Sequence, residues 1–282
     1  MTDSSDAQHR PDTEVKHSEK EFGRESDFHS NVYHAIIDSK HHQELVYTEI
    51  SPLWGKNVVR FLNEAVEGKP VRKHYNSVTK VFWVRIMPLE IHDCHQTWYH
   101  DSEDDWHASG LLTRDEKRHL KALVGTTIEF IHEPYAGSRK EPDLLIRADN
   151  LRLPKVVMES GWSESWPRLR DDMNLWLVGG NGEVMVVILL KWARVGNLGH
   201  VKGSVEVYSL DTNGIPILCQ TEVVFPVPTQ TQGSQRVLLT RRQLFGSTVF
   251  AGRNVDDVFP LEIDDLRVVA RDALHLMGLQ PA

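Results

Sequence analysis

EPDLLIRADNLRLPKVVMESGWSESWPRLRDDMNLWLVGGNGEVMVVILLKW, residues 141–192, decides the fold. It reads as strand, short loop, strand, helix, tight turn and strand. The first strand runs from Glu141 to Arg147 and the second from Lys155 to Gly161. Ser163 or Ser165 caps the helix, with Pro167 in its first turn. Trp166, Leu169, Met173, Trp176 and Leu177 recur at a 3.6-residue period, and Gly179-Gly180-Asn181-Gly182 ends the helix. Val184 to Trp192 is almost wholly apolar, as in a strand buried on both faces. Two acids interrupt this pattern: Asp143 after Pro142, and Glu159 after Val156-Val157-Met158. A carboxylate in an apolar strand is costly without a partner. Two of them on neighbouring strands can hold one divalent metal.

Upstream, Thr126–Tyr135 has strand character, 136–140 (AGSRK) is turn-like, and the two predict a hairpin with Glu141–Arg147. Thr113 and Glu116 have capping-box spacing, so a helix is expected over 113–124, its outer face carrying Arg114, Lys117, Arg118 and Lys121. Residues 92–110 are polar and acidic, as in an exposed loop, and Lys80–Ile91 reads as a strand. Asn31–Lys40 suggests a short helix, and Ser51-Pro52 opens another that Gly68 stops. Residues 1–27 hold almost no apolar side chain and are expected to be a disordered tail. Downstream, strands are expected over 203–210 and 217–227, weak elements over 237–245 and 256–261, and a final amphipathic helix over 261–277.

The 282 residues carry a net charge of −8, which argues against broad binding of nucleic acid. Residues 110–205 hold 14 Lys/Arg against 12 Asp/Glu, so the acidic excess lies elsewhere and the central stretch permits a local contact with phosphates. No apolar run approaches the ~20 residues of a membrane span. The polar N-terminus shows no secretory signal, and two cysteines, Cys94 and Cys219, make no disulfide framework. A cytoplasmic or nuclear protein is expected, with one domain over 28–282 behind the tail.

Pro142-Asp143, then Glu159-Ser160-Gly161, on consecutive strands followed by a helix and a buried strand, resembles the PD-(D/E)XK nuclease superfamily. The resemblance covers roughly residues 112–210. The longer pattern is similar to a group of mostly uncharacterised fungal proteins assigned there, and to bacterial restriction-endonuclease-like proteins. It implies an α/β fold, a restriction-endonuclease-like mixed central sheet flanked by helices, with additional N- and C-terminal helical elements. It also implies Asp143 and Glu159 as ligands of Mg²⁺ or Mn²⁺ in phosphodiester hydrolysis, with nucleic acid as partner.

In that superfamily a lysine two residues after the glutamate orients or activates water. Here the position is Gly161. Arg168 and Arg170 on the following helix, Lys155 and Lys191 are the candidates to replace it. In the bacterial relatives a lysine lies on that helix, at a position near Asp172 here. Lys155, four residues before Glu159, should share its strand face. An arginine could only stabilise charge, not act as a base. Blander readings stand beside these: Asp143 as a turn residue, Trp162, Trp166 and Trp176 as core, residues 168–172 as a solvated helix face, and Glu116 as a cap. His92-Asp93-Cys94-His95 with His100 and His107 offers zinc-type donors, but at no established zinc spacing. The alternative to a nuclease is a non-catalytic interaction protein that keeps the fold.

Overall fold

A computed structural model describes residues 14–87, 89–148, 151–162, 166–196, 199–229, 233–248 and 250–282. The chain divides into two compact units, 1–88 and 89–282, and the expected core of 112–210 falls inside the second. The expected division into a tail of 1–27 and one domain of 28–282 does not use that boundary.

The first unit contains β1 (Glu14–Ser18), a 3-10 turn (Glu19–Glu21), α1 (Glu25–Asp38), β2 (Gln43–Thr48), α2 (Pro52–Ala65), β3 (Val71–Asn76) and β4 (Val81–Ile86). Ordered structure thus begins before Phe28: β1 pairs parallel to β2, and α1 starts at Glu25. β4 lies between β2 and β3, antiparallel to both. Phe28, Val32 and Ile36 of α1 and Val58, Val59 and Leu62 of α2 join Leu45, Tyr47, Phe82 and Val84 in one core.

The second unit runs α3 (Glu90–Ala108), α4 (Arg114–His119), β5 (Leu120–Leu123), β6 (Ile128–Glu129), β7 (Arg139–Lys140), β8 (Leu144–Ala148), β9 (Val156–Gly161), α5 (Trp166–Gly179), β10 (Val186–Val195), β11 (His200–Leu210), β12 (Pro216–Phe225), β13 (Arg236–Thr240), α6 (Arg241–Phe245), β14 (Val258–Glu262), α7 (Ile263–Leu276) and β15 (Gln280–Pro281). The architecture is mixed α/β. The main sheet has the order β12-β11-β10-β9-β8-β5, and β15 adds to β11. Only β9–β10 and β11–β15 are parallel; every other pair in it is antiparallel. β9, α5 and β10 form the crossover that a parallel pair requires.

Side-chain alternation gives the sheet two apolar faces. Leu144, Ile146, Val156, Met158, Ile188 and Leu190 meet Ile91, Trp98 and Trp106 of α3 and Leu266, Ala270 and Leu274 of α7. Leu145, Val157, Val187 and Leu189 meet Leu169, Met173, Trp176 and Leu177 of α5. Trp192 lies opposite Gly203 across the β10–β11 pair. A Cβ on Gly203 would sit 2.3 Å from the indole ring. Gly203→Ala is therefore expected to destabilise the unit by about 1–3 kcal/mol, read as a lower urea midpoint; an unchanged midpoint would mean that the ring gives way without cost.

Three local expectations are corrected. Residues 92–110 are not an exposed loop but most of α3. Ile91, Cys94, His95, Trp98, Ser102 and Trp106 recur at helical spacing and are buried, while the outer face carries the acids that suggested a loop. The helix expected over 113–124 stops at His119, and Leu120–Leu123 pairs antiparallel with β8 as the edge strand. Only two residues of the expected strand 126–135 are extended, and the turn-like AGSRK supplies their partner β7. The Thr113–Glu116 capping box is present. Glu116 also pairs with Arg241 and, at 3.3 Å, with Arg253, so it serves the α4 end of the unit.

Candidate functional site

Register brings the two strand acids together. β8 and β9 are antiparallel with Leu144 opposite Met158, and Asp143, the residue just before β8, continues that register towards Glu159. Directly opposed residues share a face. The face is the one α5 covers, because Leu145 and Val157, two positions away, pack there. The backbone N–H of Ser160 donates to Asp143 Oδ2 at 2.8 Å. The indole N–H of Trp176 donates to Glu159 Oε1 at 2.6 Å. Trp176 is a core side chain and also the group that orients Glu159.

The basic group of the site is Lys140, from β7. Its Nζ donates to Asp172 Oδ2 at 2.6 Å and lies 3.4 Å from Glu159 Oε2. Lys140 is wholly buried, and Asp143, Glu159 and Asp172 are each no more than 5 % exposed. Asp172 and Trp176 are four apart on α5 and so face the same way. Two carboxyl groups, Glu159 and Asp172, thus share one ammonium. Burial holds the Glu159 carboxyl well above the ordinary carboxylate range, and the Asp143 and Asp172 carboxylates push the same way against Lys140 and the Trp176 N–H.

The other sequence candidates lie around this centre. Lys155 stands one residue before β9, about 13 Å along the chain from Glu159, with its side chain against Gly246. Its Nζ donates instead to the Glu183 carbonyl at 3.0 Å. Arg170 faces β11, donating to Tyr208 Oη at 3.2 Å and Glu206 Oε1 at 3.1 Å, with Trp166 against its guanidinium. Arg168 is one turn before Asp172 on the same helix face. Lys191 is the register partner of Gly161, and its Nζ donates to the Trp162 carbonyl at 3.1 Å. Sequence reasoning missed Lys140 and the part played by Asp172. Asp172 carried a signal: it falls inside the apolar stripe of Leu169, Met173 and Trp176. The candidate caps Ser163 and Ser165 lie outside the described residues.

The donor set fits a hard divalent cation. The offered atoms are carboxylate oxygens, the donors such a cation prefers. Asp143 and Glu159 are the candidate ligand pair, and Asp172 holds Lys140. His92 belongs elsewhere, on α3, its Nδ1 3.0 Å from the Ser160 carbonyl. Among the described residues no helix is long and apolar enough to cross a membrane. No family model, curated protein or solved structure matches the chain.

Proposed function

We propose that residues 89–282 form a restriction-endonuclease-like unit that hydrolyses phosphodiesters with a divalent metal, Mg²⁺ or Mn²⁺, held by Asp143 and Glu159. The observation that carries this reading is Lys140, an ammonium 3.4 Å from Glu159 that stands in for the side chain absent at Gly161. The sheet supports it: β5, β8 and β9 are successively antiparallel, and α5 leads to β10 parallel to β9, the arrangement expected of such a core.

When bound, the cation would lower the pKa of a water and neutralise charge developing on the phosphodiester. The chain's own groups prepare for that. Ser160 N–H and Trp176 N–H fix the two carboxylates. Lys140 offsets their repulsion, and Asp172 fixes Lys140. The test is cleavage of end-labelled single- and double-stranded oligonucleotides of DNA and RNA with millimolar Mn²⁺ or Mg²⁺. Wild type is expected to cut and Asp143→Asn to lose at least 100-fold in rate. Inactivity of wild type with both metals on every substrate rejects the reading.

Burial favours one competitor, a non-catalytic interaction protein that keeps the fold, in which the same charges serve only as a buried polar core. That reading requires no cleavage and no metal-induced rise in melting temperature, since a ligand specific to the folded state must raise it.

A further inference from the structure

The α5-facing side of the main sheet is graded in charge along its strands. Successive rows on one face are about 7 Å apart. The first row is apolar apart from one hydroxyl: Leu145, Val157, Val187 and Tyr208. The second is acidic: Asp143, Glu159, Leu189 and Glu206. The third is Gly161, Lys191 and Ser204, and the fourth pairs Ala193 with Lys202. Glu206 is already engaged by Arg170 and by Tyr208 Oη at 2.5 Å. The rim beyond the acids is therefore basic.

Gly161 carries no side chain beside Glu159, and its parallel partner Lys191 rises on the same face from the next strand. Lys191 is half-buried and anchored by the Trp162 carbonyl; Lys202 is exposed one row further out. α5 must run back along the sheet, so its first turn, with Arg168, lies towards this rim. Lys140 by contrast is wholly buried and held between two carboxylates.

We infer that the two basic roles are divided: Lys140 is the counter-charge inside the site, and Lys191 with Lys202 forms a rim that grips the substrate's backbone phosphates on either side of the scissile one. This inference rests on the proposed hydrolytic site and adds the residues that would hold the polyanion over it. A footprint this small agrees with a protein of net charge −8 that cannot bind nucleic acid broadly.

The test measures binding of a fluorescein-labelled 20-nucleotide single strand and its duplex by anisotropy. The full chain is used in EDTA, where cleavage cannot run, from 50 to 200 mM salt. Each lost phosphate contact lowers the slope of log K against log salt by about one. Lys191→Gln and Lys202→Gln are each expected to weaken binding several-fold and lower that slope by about one, while Lys191→Arg keeps it. Unchanged affinity and slope in both glutamine variants would overturn the rim, as would a wild type that binds neither probe. Rim-dependent binding without cleavage under any metal would keep the rim and remove the hydrolytic reading. Cleavage by wild type with unchanged slopes would do the reverse.

Discussion

Lys140→Met is expected to cost about 3–5 kcal/mol near neutral pH, the usual penalty for removing one partner of a buried ion pair. The lysine is wholly buried and touches both Glu159 and Asp172, so its loss strands two buried carboxyl groups next to Asp143. Domains hold only about 5–15 kcal/mol in total, so the variant should sit near the limit of folding. The loss should shrink in acid, where the stranded carboxyls take up protons. Lys140→Met combined with Asp172→Leu should recover part of the stability, because neighbouring charges couple. Urea denaturation of the single and double variants at pH 5 and pH 8 reads all of this. A single-variant loss under about 1 kcal/mol would mean that Lys140 does not neutralise the site.

Glu159→Gln should move stability and activity in opposite directions. The folded pKa of Glu159 is raised, mainly by burial. Its favourable contribution is therefore complete below the ordinary value of 4.5 and disappears as pH rises through the raised value. Wild type should lose stability across that window. Glutamine removes the titration, still accepts the Trp176 N–H, and leaves Lys140 paired with Asp172 at 2.6 Å. The variant should match wild type at pH 5 and exceed it at pH 8. Its cleavage rate should fall at least 100-fold, about 2.7 kcal/mol in the barrier. Its melting temperature should not respond to Mn²⁺, whereas saturating metal at about 100 Kd should stabilise wild type by about 2.7 kcal/mol. The wild-type response should grow with pH, since a ligand must lose its proton to bind. A variant that is less stable than wild type at pH 8 would show that Glu159 is ionised and well compensated in the resting protein.

The parts of the fold visible in the sequence are those with a clean period. α2, α5, α7 and β10 come from stripes or apolar runs and sit where the pattern put them, within a few residues. α3 was hidden because its buried stripe includes His92, His95 and Ser102 among acidic neighbours, so polarity masked the spacing. β5 was absorbed into the helix before it, because four residues carry too little alternation to mark a change of period. The two strand acids were visible as violations of burial. Lys140 was not, because nothing local distinguishes a lysine in a turn-like run; its place follows from strand pairing, including that of β7 with Ile128–Glu129. Lys155 shows the converse: a parity shared with Glu159 says nothing of distance along the strand.

The constellation also has a portable form. Lys140, Asp143, Glu159, Asp172 and Trp176 are spaced K-x2-D-x15-E-x12-D-x3-W along one uninterrupted stretch of chain. The short two-residue strand sets the first residue, the residue just before β8 is the second, β9 holds the third, and one helix the last pair. All five residues thus lie within one segment of fewer than 40 residues, with Lys140 placed by its pairing to Ile128 outside it. It also gives a search pattern that does not depend on a lysine at position 161.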